Sequence, residues 1–305
     1  MTIFFSHWLR QKPTWRFMRF HRHGLIGSAS LVVLSLLLFS VVGLDYGIDF
    51  RGGMLMEVSY NEPPDVGEVR DSLRVLELGD VQIQTFGKDT ILLIRVQRQQ
   101  GDEKAQMAVI TQIKERLGKD LDYRRVEFVG PRVGQELVES GIYAVLFSLL
   151  AILLYVWMRF DGWHFALASV VALLHDVLVT IGLFSALQLE FNLSTVAAVL
   201  TIAGYSINDT VVVFDRMREM MRRHRSSPFH EIIDMSINAT LSRTVMTSVT
   251  TALALFALLL FGGSVLHDFV LAMLWGVFVG TWSSIFVAGP MMLLLKFDMQ
   301  EALRT

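Results

Sequence analysis

The chain has 305 residues and a mass of 34.5 kDa; it is 53% hydrophobic and 18% charged, with a mean hydropathy of +0.48. Soluble domains are about 45–50% apolar and about 25% charged, so these figures exclude a disordered chain and argue against a purely soluble one. A net charge of −2 gives no reason to expect a nucleic-acid partner, and the absence of cysteine excludes disulfides and thiol-based metal or redox sites.

A helix needs roughly 20 apolar residues to cross about 30 Å of hydrocarbon. After a basic leader, residues 1–24, the run Leu25–Leu44 meets that length. It is longer than the apolar stretch of a secretory signal, and no small-residue cleavage site closes it before Asp45, so it reads as a retained span. Residues 45–137 are mixed and charge-rich. Met54–Tyr60 alternates as a strand, and Pro64–Leu76 carries Val66, Val69, Leu73 and Leu76 on one helical face. Val81–Phe86 and Ile91–Val96 form a predicted hairpin around Gly87-Lys88-Asp89. Asp102–Leu117 is a second helix and Tyr123–Val129 a last strand. The order β-α-β-β-α-β predicts a ferredoxin-like α+β domain, a fold that hosts many functions.

Five further apolar runs follow: Gly141–Met158, Phe165–Leu187, Asn192–Phe214, Thr244–Phe261 and Phe269–Leu295. The last is overlong and is expected to tilt or change course near Pro290. The predicted fold is thus a polytopic α-helical membrane protein of six transmembrane helices. Its ferredoxin-like α+β exterior domain (45–137) lies between helices 1 and 2, helices 2–6 occupy 138–295 with a cytoplasmic loop at 215–240, and a tail covers 296–305. Arg10, Lys12, Arg16, Arg19 and Arg22 lie before span one, and Arg216, Arg218, Arg222, Arg223 and Arg225 follow span four. Arg159 sits between spans two and three, and Lys296 and Arg304 in the tail, whereas links 188–191 and 262–268 have no Lys or Arg. This asymmetry puts both termini in the cytoplasm and the exterior domain in the periplasm. Trp157, Trp163 and Trp275 fall near predicted span ends.

Ionisable groups inside spans are costly and are functional candidates by default. Asp209 lies in span four, Arg243 near the start of span five, and His175 and Asp176 near the middle of span three. At about 100° per residue, Thr240, Arg243, Thr244, Thr247, Ser248 and Thr251 fall within roughly 140° of one another. Ala198, Thr201, Tyr205, Asn208 and Asp209 share a face of span four. Asp209 lies about six residues, or roughly 9 Å, from the cytoplasmic end of its apolar run. An Asp209–Arg243 pair across two polar stripes is therefore expected, and such a pair suits proton handling, because burial and a nearby cation push a carboxyl's proton affinity in opposite directions. Intramembrane polar residues also act as interhelical glue, and Arg243 has the reach to extend to the interface instead. His175 and Asp176 are equally compatible with a structural pair, and the hydroxyl stripe with helix packing or a water-lined path.

Ala272, Gly276, Gly280, Ser284 and Ala288 make a small-residue ladder on span six, facing another span or a partner subunit. Ser226-Ser227-Pro228 reads as a helix start, and Phe229, Ile232, Ile233 and Ile237 as the apolar face of a short helix on the membrane surface before span five. Arg222–Arg225 reads mainly as a topology signal, with contact to anionic lipids secondary. No GxxxxGK[ST], GxGxxG or HExxH motif occurs, so ATP hydrolysis and zinc proteolysis by the common motifs are unsupported; an ion gradient is the expected energy source, its ion left open between H+ and Na+ by the residues, with no cofactor or metal expected.

Asp49-Phe50-Arg51-Gly52-Gly53 resembles the Asp-Phe-x-Gly-Gly signature of the SecD/SecF family of Sec accessory subunits. The run from Gly204 to Arg216, with Asn208-Asp209 at its centre, resembles the SecF form of the family's span-four motif rather than the SecD form. Leu241-Ser242-Arg243-Thr244 resembles the family's entry to span five, and His175-Asp176 its span-three pair. The resemblance covers residues 20–295. It implies a proton-driven unit of the RND type, paired with SecD and associated with the SecYEG channel and often YajC. Such a unit helps complete export of unfolded polypeptide after the ATP-driven motor has acted, without catalysing a chemical reaction. Asp209 would be the protonation site and Arg243 its partner, with Asn208, Asp176 and His175 weaker candidates. A small-molecule or lipid exporter of the RND type, an intramembrane aspartyl protease using Asp176 and Asp209, and a purely structural subunit are the competing readings.

Overall fold

The computed structural model describes residues 14–79, 81–97, 99, 103–119, 121–160, 162–263, 266–295 and 297. Arg10, Lys12, Asp102, Lys296 and Arg304 lie outside the described residues, as does most of the 296–305 tail.

A 3-10 turn, Phe17–Phe20, leads into α1, His21–Val41. The exterior domain follows: β1 Asp45–Tyr46, α2 Ile48–Arg51, β2 Gly53–Ser59, α3 Val66–Arg74, β3 Val81–Phe86, β4 Lys88–Val96, α4 Glu103–Leu117 and β5 Asp122–Val129. The main sheet has the antiparallel order β3-β4-β2-β5 expected of a ferredoxin-like domain. Central strand β2 is buried along Gly53–Val58, because both faces are covered. Met54, Met56 and Val58 meet Leu73, Ile110 and Ile113 of α3 and α4, while Leu55 packs with Ile48 of α2 and Leu93 of β4. Two boundaries move for local reasons. Asp65 caps α3 by accepting from the N–H of Gly67 (2.6 Å) and Glu68 (3.4 Å), so the helix starts at Val66 rather than Pro64. Lys88 and Asp89, expected in the hairpin turn, belong to β4 and leave Gly87 alone between the strands.

Five further long elements complete the bundle: α5 Pro131–Phe160, α6 Trp163–Leu187, α7 Leu193–Arg223, α8 Phe229–Phe261 and α9 His267–Ser283, the last continued by a π-helical turn Ser284–Ala288 and by α10 Gly289–Leu294. Six helical segments are long and apolar enough to span a membrane. A two-residue strand β6, Glu190–Phe191, pairs in parallel with β1. The change of course in span six is the π turn. Pro290 lacks an N–H and its ring crowds the carbonyl four residues back, so the backbone takes one wider turn there.

Hydropathy misplaces two ends. The charged first turns of α5 are helical from Pro131, well before the apolar run at Gly141. The separate surface helix expected before span five is not there: α8 is one helix of 33 residues, and only residues 224–228 separate it from α7. Ile232, Ile233 and Ile237 are buried against Phe214, Met217 and Met18 instead of resting on lipid. The leader reinforces this seam. Asn238 Oδ1 accepts from Trp15 N–H (3.0 Å), Asn238 Nδ2 donates to Trp15 O (2.7 Å), and Met18 N–H donates to Asp234 Oδ1 (2.8 Å).

Spans three, four and six form the bundle's interior, while α1, α5 and α8 carry exposed apolar side chains such as Leu37, Phe147 and Phe256 toward the lipid position. The small-residue ladder of span six faces span four of the same chain and is not an outer surface. A Cβ on Gly276 would collide with the Ile202 side chain, and one on Gly280 would lie 3.0 Å from Ser206 Cβ. Gly276→Leu is therefore expected to lower unfolding stability in detergent by about 1–3 kcal/mol through overpacking. Gly204→Ala, at a site open around its Cβ, should leave stability equal or slightly higher in the same unfolding series.

Candidate functional site

Three polar centres lie along α7. The deepest is built on Asp176, which is fully buried on α6. Its Oδ2 accepts from Ser206 Oγ of α7 (2.5 Å) and from Ser283 Oγ of α9 (2.8 Å), and its Oδ1 lies 2.9 Å from His175 Nδ1. One carboxylate thus joins spans three, four and six. His175 Nε2 is buried without a partner. The close approach of α9 allowed by Gly280 brings Ser283 into reach. Ser206 and Ser283 were not anticipated as partners of Asp176: Ser206 adjoins Tyr205 in the span-four motif and Ser283 adjoins Ser284 of the small-residue ladder, and neither neighbourhood shows which helix the hydroxyl meets.

The second centre is Asp209. It lies 14 residues before the end of α7 at Arg223, and Arg243 lies 14 residues after the start of α8 at Phe229. At 1.5 Å per residue both are roughly 21 Å along their helices from the end opposite the exterior domain, so they are level, and deeper than the apolar runs implied. Asp209 is only 3% exposed and its Oδ2 has no hydrogen-bond partner. Arg243 acts on it electrostatically, but no hydrogen bond or salt bridge joins the two. The direct pair expected from the two stripes is thus not formed: Arg243 and Asn208 turn to the open side of the bundle, where both are exposed, while Asp209 turns inward. The hydroxyl stripe also divides. Thr240 and Thr247 bond to backbone carbonyls of their own helix, whereas Ser248 links Tyr205 of α7 (3.4 Å) to Thr281 of α9 (2.7 Å).

The third centre lies where the exterior domain meets the bundle, and the Asp49–Gly53 segment builds it. Gly52 (φ 71°) and Gly53 (φ 123°) lie in the left-handed region that side chains resist, and they turn the chain from α2 into β2. That turn presents Asp49 to the start of α7, where its Oδ2 accepts the Leu193 N–H (2.9 Å). Asn192 and Thr195 complete a reciprocal cap at the same terminus. Phe50 packs on Phe191, ring centres 5.8 Å apart. Asp49 therefore caps the helix that carries Asp209, a role its position in the sequence did not disclose.

Beside it, Arg95 of β4 bonds Asp45 Oδ2 (2.6 Å) and Glu190 Oε2 (2.8 Å). Burial works against the Arg95 charge, but Glu190 and Asp45 outweigh it and hold the guanidinium protonated. Burial also pushes the Glu190 carboxyl above its usual range, against the pull of Arg95. Its ionised form is thus disfavoured by folding: the folded chain holds that proton more tightly than the unfolded one. The Glu190 contribution to stability is full below 4.5 and is lost as pH rises through the raised value. The unfolding stability of Glu190→Gln relative to wild type should accordingly improve as pH rises from about 4.5 toward neutrality, as followed by denaturation across that range. Among the described residues, no group of three or more His, Asp or Glu is placed to hold a metal.

Residues 109–298 match the family described as protein export membrane protein SecD/SecF, C-terminal, and residues 37–64 match the SecD/SecF GG motif. The protein translocase subunit SecF of Rickettsia prowazekii is 42% identical over 96% of this chain and 94% of its own length. The SecF subunit of Magnetococcus marinus is 46% identical over 89% of this chain and 88% of its own. The crystal structure of SecDF, a translocon-associated membrane protein from Thermus thermophilus, superposes with a TM-score of 0.83 at 38% identity, covering 93% of this chain. This chain spans 39% of that longer one. A second SecDF structure, in a super-membrane-facing form, gives a TM-score of 0.69 at 37% identity. The GG-motif match covers the segment that caps α7, and the C-terminal match covers both intramembrane carboxylates. The chain belongs to the SecD/SecF family of protein export membrane proteins.

Proposed function

We propose that this chain is a proton-driven accessory subunit of the Sec translocase, which works with a SecD-type second half beside the SecYEG channel to complete export of unfolded polypeptide. In this reading both termini are cytoplasmic, as the Lys and Arg distribution suggests, and the ferredoxin-like domain stands in the periplasm. The observation that carries it is Asp209, a buried carboxylate with a partnerless oxygen beside an open polar face. Asn208 and Arg243 on that face would be expensive against lipid, so a second polytopic half covers them. The relatives supply the export context, being named translocase subunits and translocon-associated proteins.

Protonation of Asp209 removes the charge that attracts Arg243, and α7 and α8 readjust against each other. Since Asp49 holds the start of α7, the readjustment reaches the exterior domain. One charge crossing 100 mV is worth about 2.3 kcal/mol. Moving a two-state domain from 1:99 to 99:1 takes about 5.5 kcal/mol, within reach of a few protons.

The test uses inverted membrane vesicles with and without this subunit. An export intermediate is stalled by exhausting ATP, and a proton gradient is then imposed. Completion that needs both the subunit and the gradient supports the proposal. Completion driven equally by a sodium gradient, or independent of either, overturns it.

A further inference from the structure

Arg95 occupies an unusual place for a charged residue. It sits on β4, second from the edge of the sheet, is 9% exposed, and has its Nε buried without a partner. Its two terminal nitrogens reach two carboxylates from different parts of the bundle. Asp45 is at the exit of span one, and Glu190 is in the link between spans three and four. These two residues face each other in the parallel β1–β6 pairing. Glu190 N–H in turn donates to Asp268 Oδ2 (3.0 Å), in the first turn of α9. Through the next residues, Asp49 holds Leu193 at the start of span four. One guanidinium therefore ties the sheet to the connectors of spans one, three, four and six.

The Asp49 segment also touches the bundle, at Leu193, at Phe191 and beside Gly134 of α5, but on its β3–β4 side the domain stands away. A cleft of ≈ 560 Å³ separates the β3–β4 hairpin, with Gln84 and Lys88, from Leu260 and His267 at the ends of spans five and six. The sheet is thus pinned beside an open space, and the strength of the pin decides whether it tilts into that space or turns with the bundle.

We infer that Arg95 is the positioning residue that makes the exterior domain move with the span-four end of the bundle. Only arginine suits the place, because its rigid fork reaches two carboxylates at once while a lysine ammonium is a single point charge. Removing the guanidinium leaves two half-buried carboxylates with no shared cation, and the sheet is then held to α7 through the Asp49 segment alone and follows it less closely. This role rests on the proton-driven export reading for its purpose but not for its geometry.

The experiment uses the absence of cysteine from the chain. Spin labels go on Val75→Cys, exposed at the end of α3, and Leu187→Cys, exposed at the end of α6. Distances are measured by pulsed electron resonance in the complete complex in vesicles, and gradient-driven export is measured on the same preparations. With Arg95 present, one narrow distance distribution is expected. Arg95→Met should broaden it and remove gradient-driven completion, while amide exchange within the sheet stays slow. Arg95→Lys should lie between the two in both readouts. Should Arg95→Met fail to fold, the double variant Asp45→Asn/Glu190→Gln releases the same pin with the arginine in place and is expected to broaden the distribution equally. A narrow distribution in the folded unpinned variant, or broadening with export intact, overturns the inference. If Asp209→Asn in parallel vesicles leaves gradient-driven completion unchanged, the export reading falls, and the distance distributions still decide what Arg95 does.

Discussion

Asp209→Asn is expected to abolish gradient-driven completion of export while leaving the ATP-driven phase and the fold intact. The two side chains have nearly the same shape, so packing around the buried position is kept. Asparagine neither gains nor loses a proton, so any step that depends on a change of charge at this place stops. The substitution also replaces an ionisable carboxyl, which costs about 2.5–3.5 kcal/mol at a helix centre, with a neutral amide that is less costly to bury. The variant should therefore unfold no more readily than wild type, which separates lost coupling from lost structure. Arg243→Gln is expected to give a similar export defect, since it deletes a cation that acts on that carboxylate. Both variants are read by completion of a stalled intermediate under an imposed gradient, beside unfolding in detergent. Wild-type completion in Asp209→Asn would assign this residue to packing and overturn the proton-driven reading it carries.

The second large effect is expected at Asp176, and of a different kind. Asp176→Leu strips the interhelical acceptor from Ser206 and Ser283 and the partner from His175, at the junction of three spans, although Ser283 keeps the Gly280 carbonyl of its own helix (3.1 Å). Leaving a buried donor unsatisfied costs about 1–3 kcal/mol. Interhelical bonds in membranes run lower, about 0.6 kcal/mol each on average, so a total loss of about 2–4 kcal/mol is expected. Asp176→Asn should be much milder. Its carbonyl oxygen can still accept from both serines, and its amide can donate to His175 Nδ1 when the imidazole proton is on Nε2. Detergent unfolding of the two variants gives the order wild type, Asn, then Leu. If Asp176→Asn keeps stability but loses gradient-driven export, Asp176 carries protons as well as holding helices.

The parts of this molecule that follow from repetition were legible in the sequence. The spans rest on the length of apolar runs and the β-α-β-β-α-β order on periods of hydrophobicity, as does the buried face of Val69 and Leu73 in α3. What failed to show was whatever depends on distant segments meeting. The pairing of Asp45–Tyr46 with Glu190–Phe191 joins strands of two residues, too short to carry a pattern. The cap that Asp49 places on Leu193 and the bond between Asp176 and Ser283 cross 144 and 107 residues of chain. Arg95 reads as an ordinary charge at the end of a strand, and only the fold gives it two carboxylates. The outward turn of Arg243 follows from the helix continuing unbroken from Phe229, where hydropathy suggested two elements. Asp209 was the easier case, because a carboxylate in an apolar run stands out through its cost alone.

If protons crossing through Asp209 drive export, proton entry itself is the most direct readout. Vesicles containing the full complex are loaded with a pH-sensitive dye, a gradient is imposed, and proton movement is recorded with and without a stalled polypeptide in the channel. Coupling through Asp209 requires proton movement that accelerates when the polypeptide is engaged, ceases in Asp209→Asn, and keeps pace with completion of export. Export completed under the gradient with no accompanying proton movement, or proton movement unchanged in Asp209→Asn, would contradict it.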